Sequence, residues 1–210
     1  MKEKNVVSFY VLCNKLKNLI RTGWKNWNVK GDRLESVAEH IYGTQMLAIA
    51  MYSEFNYDID LYKVIKMLAI HELGEIIIGD FTLFDISREE KEIKERKAVH
   101  EVLSCLGNQE ELENLFMEFD SHLTDEAKFA YMCDKLECDI QSKIYDQENR
   151  VDLDNQDYSK LIHDNDVYNL LKSGASFSTM WLTFGQKRYP YDDNFKSVSN
   201  YVINNNILKK

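Results

Sequence analysis

Between Leu61 and Ile78 nearly every residue is apolar, yet the run carries His71, Glu72 and Glu75. Burying an imidazole and two carboxylates among isoleucines and leucines is costly unless each finds a partner or a metal ion. On a helix His71 and Glu75 stand one turn apart on one face, and Glu72 lies about 100° round the axis from His71, so adjacent side chains converge on one ion from neighbouring directions. Two more residues are out of place in the same way. His40 opens an otherwise apolar segment, and Asp134 sits amid Phe129, Ala130, Met132, Cys133 and Leu136. A single buried histidine is ordinarily bonded to a backbone carbonyl, but one metal site accounts for His40, His71, Glu72 and Asp134 together. Imidazole with carboxylate is a donor set for Mn, Co, Fe, Ni or Zn.

The elements that must position these groups read as helices. A single proline and eight glycines leave few residues that break helices or make hairpin turns, and no alternating strand pattern or internal repeat is present. Phe9, Leu12, Leu16 and Ile20 make the apolar stripe of a first helix over Val6 to Ile20. From Arg21-Thr22-Gly23-Trp24 to Glu35 the chain is polar and aromatic and reads as a loop of about a dozen residues, a length that inside a compact domain is often functional. Ser36-Val37-Ala38-Glu39 has the form of a capping box and starts a second helix with His40 in its first turn. The apolar run Leu61 to about Ile78 predicts one continuous helix in the middle of the fold. Ser87-Arg88-Glu89-Glu90 is a second capping box, opening a charged helix to about Leu106, and Glu110 to Phe119 predicts a short one. Thr124 or Asp125 caps the helix that carries Asp134, and further helices are expected near Tyr158 to Leu171, Phe177 to Phe184 and Asn194 to Ile207.

The 210 residues fit one all-α domain, residues 1–210, with a C-terminal helical extension from about 155. A formal charge of −9 argues against binding a nucleic-acid backbone, which needs clustered lysine and arginine. A small anionic substrate remains compatible with it, because a metal or an arginine reverses the local field. The charged start and the lack of a long apolar run predict no signal peptide and no membrane anchor, hence a cytoplasmic protein. Cys13, Cys105, Cys133 and Cys138 have no zinc-type spacing and read as small apolar residues.

The order of His40, His71 with an adjacent acid, and Asp134 resembles the signature of HD-domain phosphohydrolases. The strings RLESVAEH (Arg33 to His40), HELGEIIIGD (His71 to Asp80) and TDEAKFAYMCDKLE (Thr124 to Glu137) resemble the subgroup that contains 5′-deoxynucleotidases, over about Arg21 to Asp139. The resemblance implies an HD-domain-like helical bundle and a divalent cation held by His40, His71, Glu72 and Asp134. It also implies that Glu75 acts on water, that Asp80 stands near the substrate phosphate, and that the chain forms a homodimer, which helix faces left apolar, with Met46, Met51 and Tyr52 among them, would suit. Arg21-Thr22-Gly23-Trp24 is the nearest match to the motif that contacts the nucleotide and helps exclude a ribose 2′-hydroxyl. Arg21, Trp24 and Arg33, with Trp27 beside them, are therefore the candidate substrate-binding residues. The expected reaction releases phosphate from deoxyribonucleoside 5′-monophosphates.

One residue departs from the family pattern: its aspartate after the second histidine is Glu72 here. The extra methylene moves the carboxylate by about 1.5 Å, where metal sites tolerate a few tenths of an ångström without backbone adjustment. Three readings stay open on sequence alone: a 5′-deoxynucleotidase, an HD hydrolase of a triphosphate or alarmone, and a non-catalytic nucleotide-binding module with a degenerate site.

Overall fold

The computed structural model describes residues 1–81, 88–158 and 165–209, and among them every regular element is helical. The elements are α1 (Lys2–Cys13), α2 (Thr22–Asn26), α3 (Val37–Glu54), α4 (Leu61–Ile70), α5 (Glu75–Ile78), α6 (Arg88–Leu103), α7 (Gln109–Ser121), α8 (Asp125–Gln147), α9 (Asn165–Lys172), α10 (Phe177–Arg188) and α11 (Asp193–Asn204). The chain parts into two compact units: Met1–Thr22 with Glu35–Tyr131, and Gly23–Leu34 with Met132–Lys210.

In the first unit α3 packs on α4, α4 on α7, and α6 on both α5 and α7. Its core is aliphatic and aromatic, with Val37, Val64, Met67, Leu68, Leu103 and Phe129 buried. The predicted capping box forms: the Ser36 hydroxyl accepts from the Glu39 amide at 3.3 Å, and the Glu39 carboxylate accepts from the Ser36 amide at 2.9 Å. An isolated antiparallel bridge pairs Ile20 with Ser36, flanked by Arg21 N–H to the Glu35 carbonyl (3.0 Å) and Val37 N–H to the Leu19 carbonyl (2.8 Å). These bonds fix the backbone of Arg21 beside the start of α3.

Three sequence expectations change in this unit. The first helix ends at Cys13 and tightens into a 3₁₀ turn over Asn14–Lys17, so of the expected stripe only Leu16 is fully buried. The helix expected to run from Leu61 to Ile78 breaks after Ile70. Leu73, Glu75 and Ile76 N–H groups bond three residues back rather than four, at 3.1, 3.1 and 3.3 Å. A Cβ added to Gly74 would lie 3.3 Å from the Cα and carbonyl oxygen of Glu95, a close approach of the turn to the α6 backbone that a larger residue would tighten. Met51, expected with Met46 and Tyr52 on an open apolar face, is buried, while the other two are exposed. The predicted Ser87 cap lies outside the described residues.

In the second unit the segment read as a loop contains the short helix α2, and its side chains build a core. Trp24, Trp27, Val29, Tyr145, Phe177 and Met180 pack together, with Trp24 against Tyr145 (5.2 Å between ring centroids) and Trp181 (5.1 Å). Arg150 ties this segment down by donating to the carbonyls of Lys30 and Arg33 while its guanidinium lies 4.4 Å over the Tyr145 ring. Asp146 accepts from the Ser178 amide at 3.0 Å beside the start of α10, which Ser176 caps. The expected C-terminal helices appear as α10 and α11, and the Asn165–Lys172 part of the other as α9, its residues 159–164 lying outside those described.

Candidate metal centre

The break between α4 and α5 shapes the site. His71 is the C-terminal cap of α4, and its Nδ1 lies 2.8 Å from the Leu68 carbonyl. That bond makes Nδ1 the protonated nitrogen and leaves the Nε2 lone pair for an acid or a cation. Nε2 of His71 stands 3.6 Å from Glu72 Oε1, and Nε2 of His40, from the first turn of α3, stands 3.8 Å from the same oxygen. His40, His71 and Glu72 thus offer donor atoms within 4.8 Å of one another. Two donors each ~2.1 Å from a shared ion are separated by ~3.0 Å at a right angle and ~4.2 Å when opposed, so both separations fit a common divalent cation. Glu72 leaves the tightened turn between α4 and α5 rather than a regular helix.

Arg21 approaches the same oxygen of Glu72, with its guanidinium 3.3 Å from Oε1. Burial opposes ionisation of Glu72, but the facing charges of His71, Arg21, Lys91 and His40 overcome it and hold its carboxyl at about 2. Glu75 behaves oppositely. It is 2% exposed, neither carboxyl oxygen has a hydrogen-bond partner, and burial together with the charges of Glu72 and Asp80 pushes its carboxyl well above the usual range. The two adjacent carboxyl groups thus have their proton affinities pushed apart.

Asp80 follows the left-handed Gly79 (φ 82°), accepts from the Thr22 amide, and takes the Thr22 hydroxyl on its carbonyl at 2.7 Å. Arg21, His40, His71, Glu72, Glu75 and Asp80, six of the residues singled out in the sequence, therefore share the first unit. Trp24, Arg33 and Asp134 belong to the second. Trp24 is 2% exposed within the aromatic core, and Arg33 is on an exposed turn whose carbonyl accepts from Arg150. Asp134 is buried on α8, 2.7 Å from the Lys135 ammonium.

Sequence reasoning missed Lys91 and Glu95. They lie on the charged helix α6, which reads as solvated, yet Glu95 has an oxygen within 4.8 Å of those of Glu72 and Glu75. The available signal was their four-residue spacing, which puts an ammonium and a carboxylate on one face.

Residues 13–172 match the HD domain family. The 5′-deoxynucleotidase HDDC2 of Dictyostelium discoideum is 36% identical over 152 residues, covering 69% of this chain and 79% of that protein. The 5′-deoxynucleotidase HDDC2 of Danio rerio is 32% identical over 146 residues, covering 68% and 70%. The crystal structure of the PH0347 protein from Pyrococcus horikoshii OT3 shares the fold, with a TM-score of 0.69 at 22% identity over 94% of this chain and 98% of that one. By its helical architecture, its HD-type residues and these relatives, the chain belongs to the HD domain family, alongside the 5′-deoxynucleotidases.

Proposed function

We propose that this chain is a metal-dependent 5′-deoxynucleotidase, converting deoxyribonucleoside 5′-monophosphates to deoxynucleosides and phosphate. The observation that carries the reading is the pair of unlike carboxylates, Glu72 facing two imidazoles and Glu75 buried beside it without a hydrogen-bond partner. The names of the relatives support the substrate class.

His40, His71 and Glu72 would hold a divalent cation, one of Mn, Co, Fe, Ni or Zn. Asp134 is assigned as a fourth ligand from its place in the HD order and its burial in mid-helix. A cation so held supplies positive charge to the phosphoryl oxygens and acidifies water. Glu75 takes the proton from the attacking water, a task suited to a carboxyl whose proton affinity burial has raised. Arg21, held by the bridge to Glu35 and partly buried, offsets the charge of the phosphate. Asp80 orients Thr22 and with it the adjoining Arg21. Trp24 and Arg33 are assigned to the nucleotide only from their places in the segment before His40, as the resemblance implies.

A homodimer is supported by Tyr42, Met46 and Ile49, exposed apolar residues at helical spacing on α3. None of the described helices is long and apolar enough to cross a membrane, in keeping with a cytoplasmic site of action.

Phosphate release from a panel of deoxyribonucleoside and ribonucleoside monophosphates, nucleoside triphosphates and alarmones tests the reading. Deoxyribonucleoside monophosphates are expected to exceed their ribose counterparts by at least about tenfold. Preference for a triphosphate or alarmone, or no release from any of them, overturns it.

A further inference from the structure

Helix α6 touches the turn that carries the site at two points. Its backbone at Glu95 packs against Gly74, where a Cβ would come within 3.3 Å. One turn earlier, the Lys91 ammonium lies 3.3 Å from Glu95 Oε1 and 3.2 Å from the carbonyl oxygen of Phe81, to which it donates. Both side chains are largely withdrawn from solvent, Lys91 at 25% and Glu95 at 18% exposure, unlike Lys94 at 44% and Glu90 at 52% on the same helix. An exposed pair such as Glu90 with Lys94 contributes little to stability, whereas a lysine that spans a carboxylate and a backbone carbonyl fixes the chain at that carbonyl.

Phe81 directly follows Asp80, whose carboxylate accepts from the Thr22 amide and whose carbonyl accepts from the Thr22 hydroxyl. Thr22 directly follows Arg21. A continuous set of contacts therefore leads from Glu95 through Lys91, Phe81 and Asp80 to Thr22 and Arg21. We propose that Lys91, held by Glu95, is a positioning residue: by binding the Phe81 carbonyl it sets the Gly79–Phe81 backbone so that Asp80 holds the Arg21–Thr22 segment in its working place. On this backbone Lys91 acts through Phe81 and Asp80, apart from the charge it also presents to Glu72. The inference deepens the hydrolase reading and rests on it for its kinetic consequence only.

The test compares Lys91→Met, Lys91→Arg and Glu95→Gln with the parent chain by two readouts. Amide hydrogen exchange is followed in peptides covering residues 20–24 and 77–81. Lys91→Met is expected to speed exchange at both, most clearly at the Thr22 amide, while peptides from α7 stay unchanged and the melting temperature moves little. Turnover of a deoxyribonucleoside monophosphate with added Mn or Co is the second readout. There kcat is expected to fall about tenfold to a hundredfold with KM changed less than about threefold, the effect of a displaced but intact group. Lys91→Arg, which also donates, restores both readouts, and Glu95→Gln falls between. Parent-like exchange in Lys91→Met overturns the inference whether or not the parent hydrolyses nucleotides. Parent-like kcat in Lys91→Met overturns it while leaving the hydrolase reading intact. Absence of turnover in the parent counts against that reading alone, and the exchange data then decide this one.

Discussion

Glu75 in the first unit and Asp139 in the second are both buried carboxyl groups, at 2% and 1% exposure, and burial raises the proton affinity of each. Their surroundings differ. Asp139 receives the Tyr191 hydroxyl at 2.9 Å, and its carboxyl fills the space above the bare Cα of Gly185. Glu75 has no hydrogen-bond partner and faces the charges of Glu72 and Asp80. A carboxyl that is buried and satisfied is part of the framework. One that is buried, unsatisfied and beside like charges lowers stability, and the proposed function gives it work on a bound molecule.

The contrast predicts opposite outcomes for substitutions in the two places. The largest effect is expected for Glu75→Gln, which should lower kcat by about 10²- to 10⁴-fold while the melting temperature at pH 8 rises. Phosphate release and thermal unfolding check the two halves, and a fall in both would place Glu75 with the framework. Next comes Trp27→Ala in the aromatic core, which should lower unfolding stability by about 3–5 kcal/mol in denaturant titrations. Tyr191→Phe should cost about 1–3 kcal/mol by stranding the Asp139 oxygen, with turnover per folded molecule unchanged.

The smallest effect is a pH slope. Because burial raises the folded-state pKa of Asp139, the unfolded chain ionises from about pH 4 upward while the folded chain keeps its proton. Stability is therefore lost as pH rises from that point toward the raised value. Asp139→Asn has no such proton. Its melting temperature relative to the parent should climb with pH above about 4 and stay level below it.

The fold class and most helix boundaries were legible because the punctuation is local: Ser36 with Glu39 forms the expected box, and Thr124 accepts from the Ala127 amide at 3.2 Å as the expected cap. The break after Ile70 was not legible, because Leu73 and Ile76–Ile78 continue the apolar pattern, while the approach of Gly74 to α6 is a tertiary contact. The segment to Glu35, read as a loop, begins with the short helix α2. Its tryptophans became core through contacts with Tyr145, Phe177 and Trp181, more than a hundred residues away. At the site, His40, His71, Glu72 and Glu75 stood out because polar groups in apolar runs are costly wherever they occur. Lys91 and Glu95 did not, because charge on a charged helix carries no such cost.

The central claim is that hydrolysis depends on a cation held by His40, His71 and Glu72. Its most direct test is phosphate release from a deoxyribonucleoside 5′-monophosphate by chain stripped of metal with a chelator and then titrated with Mn or Co. The account predicts no release from the stripped chain, full recovery on adding the ion, and none at any ion concentration for His71→Gln. Release that survives stripping, or recovery in His71→Gln equal to that of the parent, would contradict it.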